Sequence, residues 1–438
     1  MDLFLNRKSF VVKSLAITVT ALMMSGANAA SSEKEEIQKL RQEVEALKAL
    51  VKEQRQVQQQ QQQVQQQQQV QLAEVKAQPQ PVAAPASPLA GFKSKAGADV
   101  NLYGFVRGDA NYIIEGADDD FNVVNKVGGS TPTTKDKLRA TAKTTRLGLD
   151  FNAPVGDAKV GGKLEVDFAG STSDSNGSLR IRHAYVTYNN WLFGQTTSNF
   201  LSNHAPEMID FSTNIGGGTK RVPQVRYGYK LGPTTQLFVS AEKGDSTTAA
   251  TGDSIKYSLP ALTAKITQGY ADGRGSASAR ALVENYKSSI ADDNKTGWGI
   301  AAGTDFKVSD PLKLFADVSY VVGDSSYLYG SNAAYTLDAN KDIEQNKFVA
   351  VQVGGTYKIL PNLRSTLAYG AQFADDGTDY AKAYTAGNEK VQQAWINFIY
   401  TPVKPIDLGL EYINGKRETF AGDSYKDNRI GLMAKYSF

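Results

Sequence analysis

The chain contains no cysteine in its 438 residues and only two histidines, His183 and His204. Disulfides and thiolate–metal centres are therefore excluded, and stability has to come from burial and backbone pairing. Two imidazoles argue against a histidine metal centre. Downstream of Ala29 no segment reaches the ~18 apolar residues that a membrane-crossing helix needs. Charge of one sign is not in excess either, with 48 Lys and Arg against 45 Asp and Glu. A nucleic-acid binder would show a clustered basic surplus, so no nucleic-acid partner is expected. No Ser/His/Asp grouping stands out as a nucleophile constellation, so neither an enzyme nor a cofactor is expected.

What is present begins with an export signal. Arg7, Lys8 and Lys13 precede a short apolar core from Leu15 to Met24, and Ala27-Asn28-Ala29 supplies the small-x-small pattern of a cleavage site. Residues 1–29 read as a signal peptide cut after Ala29. Losing Arg7, Lys8, Lys13 and Asp2 with it leaves a surplus of one positive charge. Export without a helical anchor leaves the periplasm, secretion or the outer membrane.

The rest divides into three zones. In residues 30–76, Ile37, Leu40, Val44, Leu47 and Val51 recur three and four apart, a coiled-coil seam that runs into a Gln-rich tract from Gln58 to Gln71. The alternative for this zone is a disordered polar tail. Residues 77–99 form a Pro/Ala-rich linker, an extended spacer because proline removes donors and restricts the backbone. From residue 100 to 438, apolar and polar residues alternate in stretches of about ten, the length of a tilted membrane strand.

Sixteen such stretches are expected, starting near Asn101, Lys143, Lys159, Ser178, Trp191, Pro223, Thr235, Asp253, Leu262, Thr296, Leu312, Lys347, Leu363, Val391, Ile406 and Asp427. Short turns such as Leu231-Gly232-Pro233, Pro260-Ala261 and Ser309-Asp310-Pro311 alternate with long polar loops. That asymmetry belongs to outer-membrane barrels, whose periplasmic turns are short. The expected fold is all-β: a 16-stranded antiparallel transmembrane β-barrel with an N-terminal α-helical coiled-coil extension.

Facing follows from parity, because strand side chains alternate and a charge at mid-depth on the lipid face costs ~2–4 kcal/mol for Arg or Lys. Arg107 and Asp109 oppose Leu102 and Val106. Arg146 and Asp150 oppose Leu147 and Leu149, and Lys163, Glu165 and Asp167 oppose Leu164 and Val166. Arg180 and Arg182 share a parity with Ala184, which leaves Ile181, His183 and Tyr185 outward. Arg226 opposes Val225 and Tyr227. These charged parities point inward, either to select a solute or only to pair one another across the wall. A long polar connection, Ser198 to Val222, carries Glu207 and Asp210 and ends in Gly216-Gly217-Gly218-Thr219-Lys220-Arg221.

Leu102-Tyr103-Gly104, Thr145-Arg146-Leu147-Gly148, Arg182-His183-Ala184-Tyr185-Val186, Val225-Arg226-Tyr227 and the terminal Phe438 resemble the strand motifs of general trimeric diffusion porins. With the N-terminal helix, Gln tract and linker added, the mature chain resembles the DcaP-like trimeric outer-membrane porins, a family associated with dicarboxylate uptake. The resemblance implies a homotrimer in outer-membrane lipid and lipopolysaccharide, a third loop folded into the channel, and a periplasmic N-terminal coiled coil. It places Arg146, Arg182 and Arg221 in a basic inner wall and Glu207 and Asp210 on the infolded loop. Phe105 departs from the pattern where some general porins carry an inward lysine, and by parity Arg107, Arg180 and Arg226 compensate. The expected function is passive diffusion of small anionic solutes such as dicarboxylates. The competing expectation is a structural tether in which the coiled coil reaches the periplasmic cell wall.

Overall fold

The computed structural model describes residues 92–94, 97–170 and 177–438. The signal peptide, the coiled-coil segment and most of the linker lie outside the described residues. Those described belong to one unit, Pro88–Phe438. Among them no helix is long and apolar enough to cross a membrane; the crossing is done by strands.

The barrel strands are β1 (Asp99–Ala117), β2 (two pieces, Thr133–Thr141 and Arg146–Val155), β3 (Ala158–Asp167), β4 (Arg180–Tyr188) and β5 (Trp191–Thr197). They continue with β6 (Arg221–Lys230), β7 (Thr235–Glu242), β8 (Ala261–Tyr270), β9 (Gly275–Ser288), β10 (Asn294–Lys307) and β11 (Leu312–Val322). The last five are β12 (Lys347–Leu360), β13 (Leu363–Ala374), β14 (Asn388–Tyr400), β15 (Ile406–Thr419) and β16 (Ser424–Ser437). Each pairs antiparallel with its neighbours in sequence, and β1 pairs with β16 from Phe105↔Ser437 to Glu115↔Asn428. The sheet therefore closes on itself, the condition lipid imposes by offering no hydrogen bonds to a free edge. β1 is long enough to pair with both pieces of β2, Asp99–Phe105 with one and Asp109–Ala117 with the other.

The strand count of sixteen agrees with the sequence expectation, but one of its members is exchanged for another. No barrel strand begins near Asp253: Ile255–Lys256 is a two-residue stub against Lys287 and Ser288. Pro260-Ala261 is accordingly the start of β8 rather than a short turn. The strand that the sequence reading missed is β9. Its lipid-side positions include the alanines Ala279 and Ala281, so the alternation that marks a strand carries little contrast there.

Outward positions match the expected parities. Val106, Leu147, Leu164 and Val225 are exposed, while Arg107, Asp109, Glu165 and Asp167 are buried inside. Aromatic residues collect at two levels. Tyr188, Trp191, Tyr229, Tyr357 and Tyr436 ring the short-turn end, and Tyr112, Trp298 and Tyr320 stand toward the other. Two such girdles mark the two interfaces of a membrane.

One strand breaks parity. The β3–β4 register runs from Glu165↔His183 directly to Val166↔Ile181, so Arg182 is an extra residue in a β-bulge. A bulge lets consecutive side chains fall on one face. His183 therefore faces inward beside Glu165, contrary to the parity expectation, and its Nδ1 lies 2.9 Å from Thr196 Oγ1. Tyr185, opposite inward Lys163, turns inward as well, whereas Ala184 and Val186 turn outward.

Candidate functional site

The third long connection, residues 198–220, leaves the barrel rim and runs through the lumen. Phe200 and Leu201 pack with Leu282, Val321 and Phe348 of the wall and with Tyr327 and Leu328 of the connection 323–346. Farther along, Ile209 packs on Ile399 and Met433, and Ile215 meets Val124 and Val391. Each such buried aliphatic or aromatic side chain contributes ~1.5–3 kcal/mol, enough in sum to hold a polar loop against the wall. His204 adds a polar tie, its Nδ1 2.7 Å from Asp305 Oδ2 and its Nε2 3.2 Å from Ser278 Oγ.

The inner faces of β2, β4 and β6 carry a cluster of guanidinium groups. Arg146 (β2), Arg180 and Arg182 (β4) and Arg221 (β6) lie within electrostatic range of one another. Two acids of β3 bind them. Arg182 Nε donates to Glu165 Oε1 at 2.7 Å, and its Nη1 donates to Asp167 Oδ2 at 2.8 Å. Arg180 donates from Nε and Nη2 to the two oxygens of Asp167 at 2.9 and 2.7 Å. Arg146 keeps only an ion-pair contact, Nε to Glu165 Oε1 at 3.4 Å. Among the described residues Arg221 has no ion pair, and its Nε is buried without a partner.

The remaining two arginines expected in the wall are engaged by other partners. Arg107 is spent on Asp109, with Nε 2.9 Å from Oδ1, and its Nη2 donates to the Ile209 carbonyl of the loop. Arg226 lies over the Phe238 ring at 5.6 Å.

The loop acids are not placed as expected. Glu207 does not face the arginine cluster, because Arg364 of β13 clasps it with Nε and Nη2, each 2.7 Å from a carboxylate oxygen. Asp210 is buried and accepts from the Asn122 and Ser212 N–H groups at 2.7 and 2.9 Å. The loop side chain that does meet the arginine wall is Phe211, with its ring centroid 4.4 Å from Arg107 Cζ and 5.9 Å from Arg146 Cζ. Sequence reasoning weighed acids as the loop's contribution and passed over this aromatic. It also missed Arg280, which lies in the unrecognised β9 and binds Asp317 at 2.6 Å. Glu411 was legible in principle, since Leu408, Leu410 and Tyr412 put it on the inward parity of β15.

A closed barrel with aromatic girdles, an apolar exterior, a charged lumen and an infolded loop defines an outer-membrane channel of the porin class. The particular family follows from comparison: the chain belongs to the DcaP outer membrane protein family, whose model matches residues 16–438. It is 85% identical to the outer membrane channel DcaP of Acinetobacter baumannii, whose crystal structure superposes with a TM-score of 0.78 over 80% of this chain and 100% of that one. The fold is shared with OmpT of Vibrio cholerae at 13% identity and TM-score 0.51, over 80% of this chain and 99% of that one. An anion-selective porin from Comamonas acidovorans gives 13% identity and 0.52, over 78% and 100%. Comparison with curated proteins gave no match.

Proposed function

We propose that this outer-membrane channel passes small anions, dicarboxylates among them, by passive diffusion as a homotrimer in a bilayer of lipid and lipopolysaccharide. The observation that carries this reading is the balance of charge at the loop. Four guanidinium groups, of Arg146, Arg180, Arg182 and Arg221, gather around only two carboxylates, and both loop acids are engaged elsewhere. The lumen beside the loop is left with net positive charge. A small dicarboxylate pairs with such forked donors in bidentate fashion. One charge pair at 4 Å is worth ~4 kcal/mol at an effective dielectric near 20, before desolvation is subtracted. The net attraction is modest, which suits a channel whose solute has to enter and still leave. Arg107 and Arg226 enter this reading as flanking groups, one holding the loop and the other extending the positive wall.

The tether reading draws on residues 30–76 alone, outside the described structure, while the charged lumen favours conduction. Reconstitution into planar bilayers tests the proposal. Conductance in steps of three and a reversal potential on the anion side are expected under a KCl gradient, with succinate competing for the chloride current. Cation preference would end the anionic reading, and single-step insertion would end the trimer.

A further inference from the structure

The loop tip is gripped from two sides. Glu411, fully buried on β15, accepts from the Ile209 N–H at 2.8 Å and the Asp210 N–H at 2.9 Å, and is steadied by Asn397 Nδ2 at 3.0 Å. From the other side Arg107 donates to the Ile209 carbonyl. The next residue is Phe211, which remains 39% exposed in the lumen. Its ring and that of Phe105 both lie within cation–π reach of the Arg146 guanidinium, with centroids 5.9 and 5.0 Å from Cζ. Aromatic rings favour the flat faces of a guanidinium and leave its in-plane N–H edge for an oxygen ligand. Among the described residues Arg146 makes no hydrogen bond through that edge, only the 3.4 Å contact to Glu165.

We infer that Phe211 is the specificity-determining residue on the loop side of the constriction, and that Glu411 is the positioning residue that sets it there. A carboxylate paired with the Arg146 edge lays its carbon body against Phe211; an inorganic anion of equal charge has no apolar body to place. The channel then discriminates between organic and inorganic dianions, a step beyond charge selection. This inference rests on the anion reading above and names what refines it.

The test uses the full chain in planar bilayers, comparing succinate with sulfate through their permeability ratio. Phe211→Ala is expected to lower the succinate-over-sulfate ratio roughly two- to fivefold, and Phe211→Tyr to retain it. Glu411→Gln, which keeps one carbonyl acceptor where two oxygens served, is expected to lower the same ratio. If Glu411 acts through Phe211, the double variant falls no further than Phe211→Ala alone. An unchanged ratio in Phe211→Ala overturns the assignment, and additive losses overturn the role of Glu411. Should Glu411→Gln fail to insert, the Phe211→Ala and Phe211→Tyr pair still decides the specificity claim. A wild type that prefers K+ over Cl− defeats the anion reading itself. Anion preference with an unmoved ratio defeats only this refinement.

Discussion

Glu207 and Arg364 form a two-pronged ion pair between the lumen loop and β13, each guanidinium nitrogen 2.7 Å from its own carboxylate oxygen. The pair removes the loop's most accessible acid from the arginine side of the channel. Both side chains remain about a third exposed, at 30% and 34%, so the pair is worth no more than ~1 kcal/mol to stability. Its consequence is electrostatic.

Arg364→Ala should free the Glu207 carboxylate into the lumen and move the reversal potential toward cations. Glu207→Gln should do the opposite by freeing Arg364. Thermal unfolding is expected to shift little in either. Two variants that move selectivity in the same direction would contradict the role given to this pair.

Arg146→Ala and Arg182→Ala are both expected to reduce anion preference, but at different cost. Arg182 binds Glu165 and Asp167 with all three side chains at most 10% exposed. Its removal takes one guanidinium from two buried carboxylates, but Asp167 keeps both bonds from Arg180 and Glu165 keeps the Tyr103 hydroxyl, so the loss should destabilise the protein by about 1–3 kcal/mol. Arg146 has no hydrogen bond to lose, and its loss should lower selectivity with little change in stability. Arg221→Ala should behave as Arg146→Ala does. Reversal potentials and denaturant midpoints measured on the same variants separate the two effects, and unchanged selectivity in all three rules out this wall as the filter.

Gly370 on β13 touches the loop backbone so closely that an added Cβ would lie 1.9 Å from the Ile215 carbonyl oxygen. Gly370→Ala is expected to push the loop off the wall at a cost of ~1–3 kcal/mol and to raise open-channel current noise. Quiet channels with wild-type unfolding behaviour would show that the loop does not depend on this approach.

The outer loops carry an acid-sensitive tie. Burial acts to raise Asp253, but the Tyr335 and Ser288 hydroxyls and the Ile290 N–H and Ser289 hydroxyl outweigh it and hold the carboxyl at about 2. A depressed carboxyl stabilises the folded state fully above its unfolded value, ~3.9, and that contribution is lost as pH falls through the folded value near 2. Cleavage of the connection 243–260 by an acid-stable protease should therefore accelerate between about pH 4 and pH 2 in the wild type. In Asp253→Ala the same cleavage should already be fast at pH 5. A pH-independent wild-type rate would show that the tie does not hold this loop.

Much of the architecture was legible along the chain. The exposed Val106, Leu147 and Leu164 fall on the parity read from sequence, as do the inward Arg107, Arg146 and Glu165. Legibility failed where chemical contrast was low. β9 shows alanines to lipid, and the bulge at Arg182 leaves no mark in composition because one extra residue changes the count and not the chemistry. The partners of Glu207 and Asp210 were out of reach for a different reason. Arg364 lies 157 positions from Glu207 and Asn122 lies 88 from Asp210, so nothing local announces either contact.

By itself, the order of residues determined a closed strand barrel with a charged interior, because lipid forbids unpaired backbone and penalises charge on its own side at every strand. Which interior charges remain open to a solute was decided only by closure of the barrel. That step brings β13, β15 and the connection after β1 against a loop that follows β5, retiring the loop's acids and leaving an aromatic ring in front of the arginines. Pairwise neutralisation depends on distances across the lumen, and a linear chain does not encode those until its first and last strands meet.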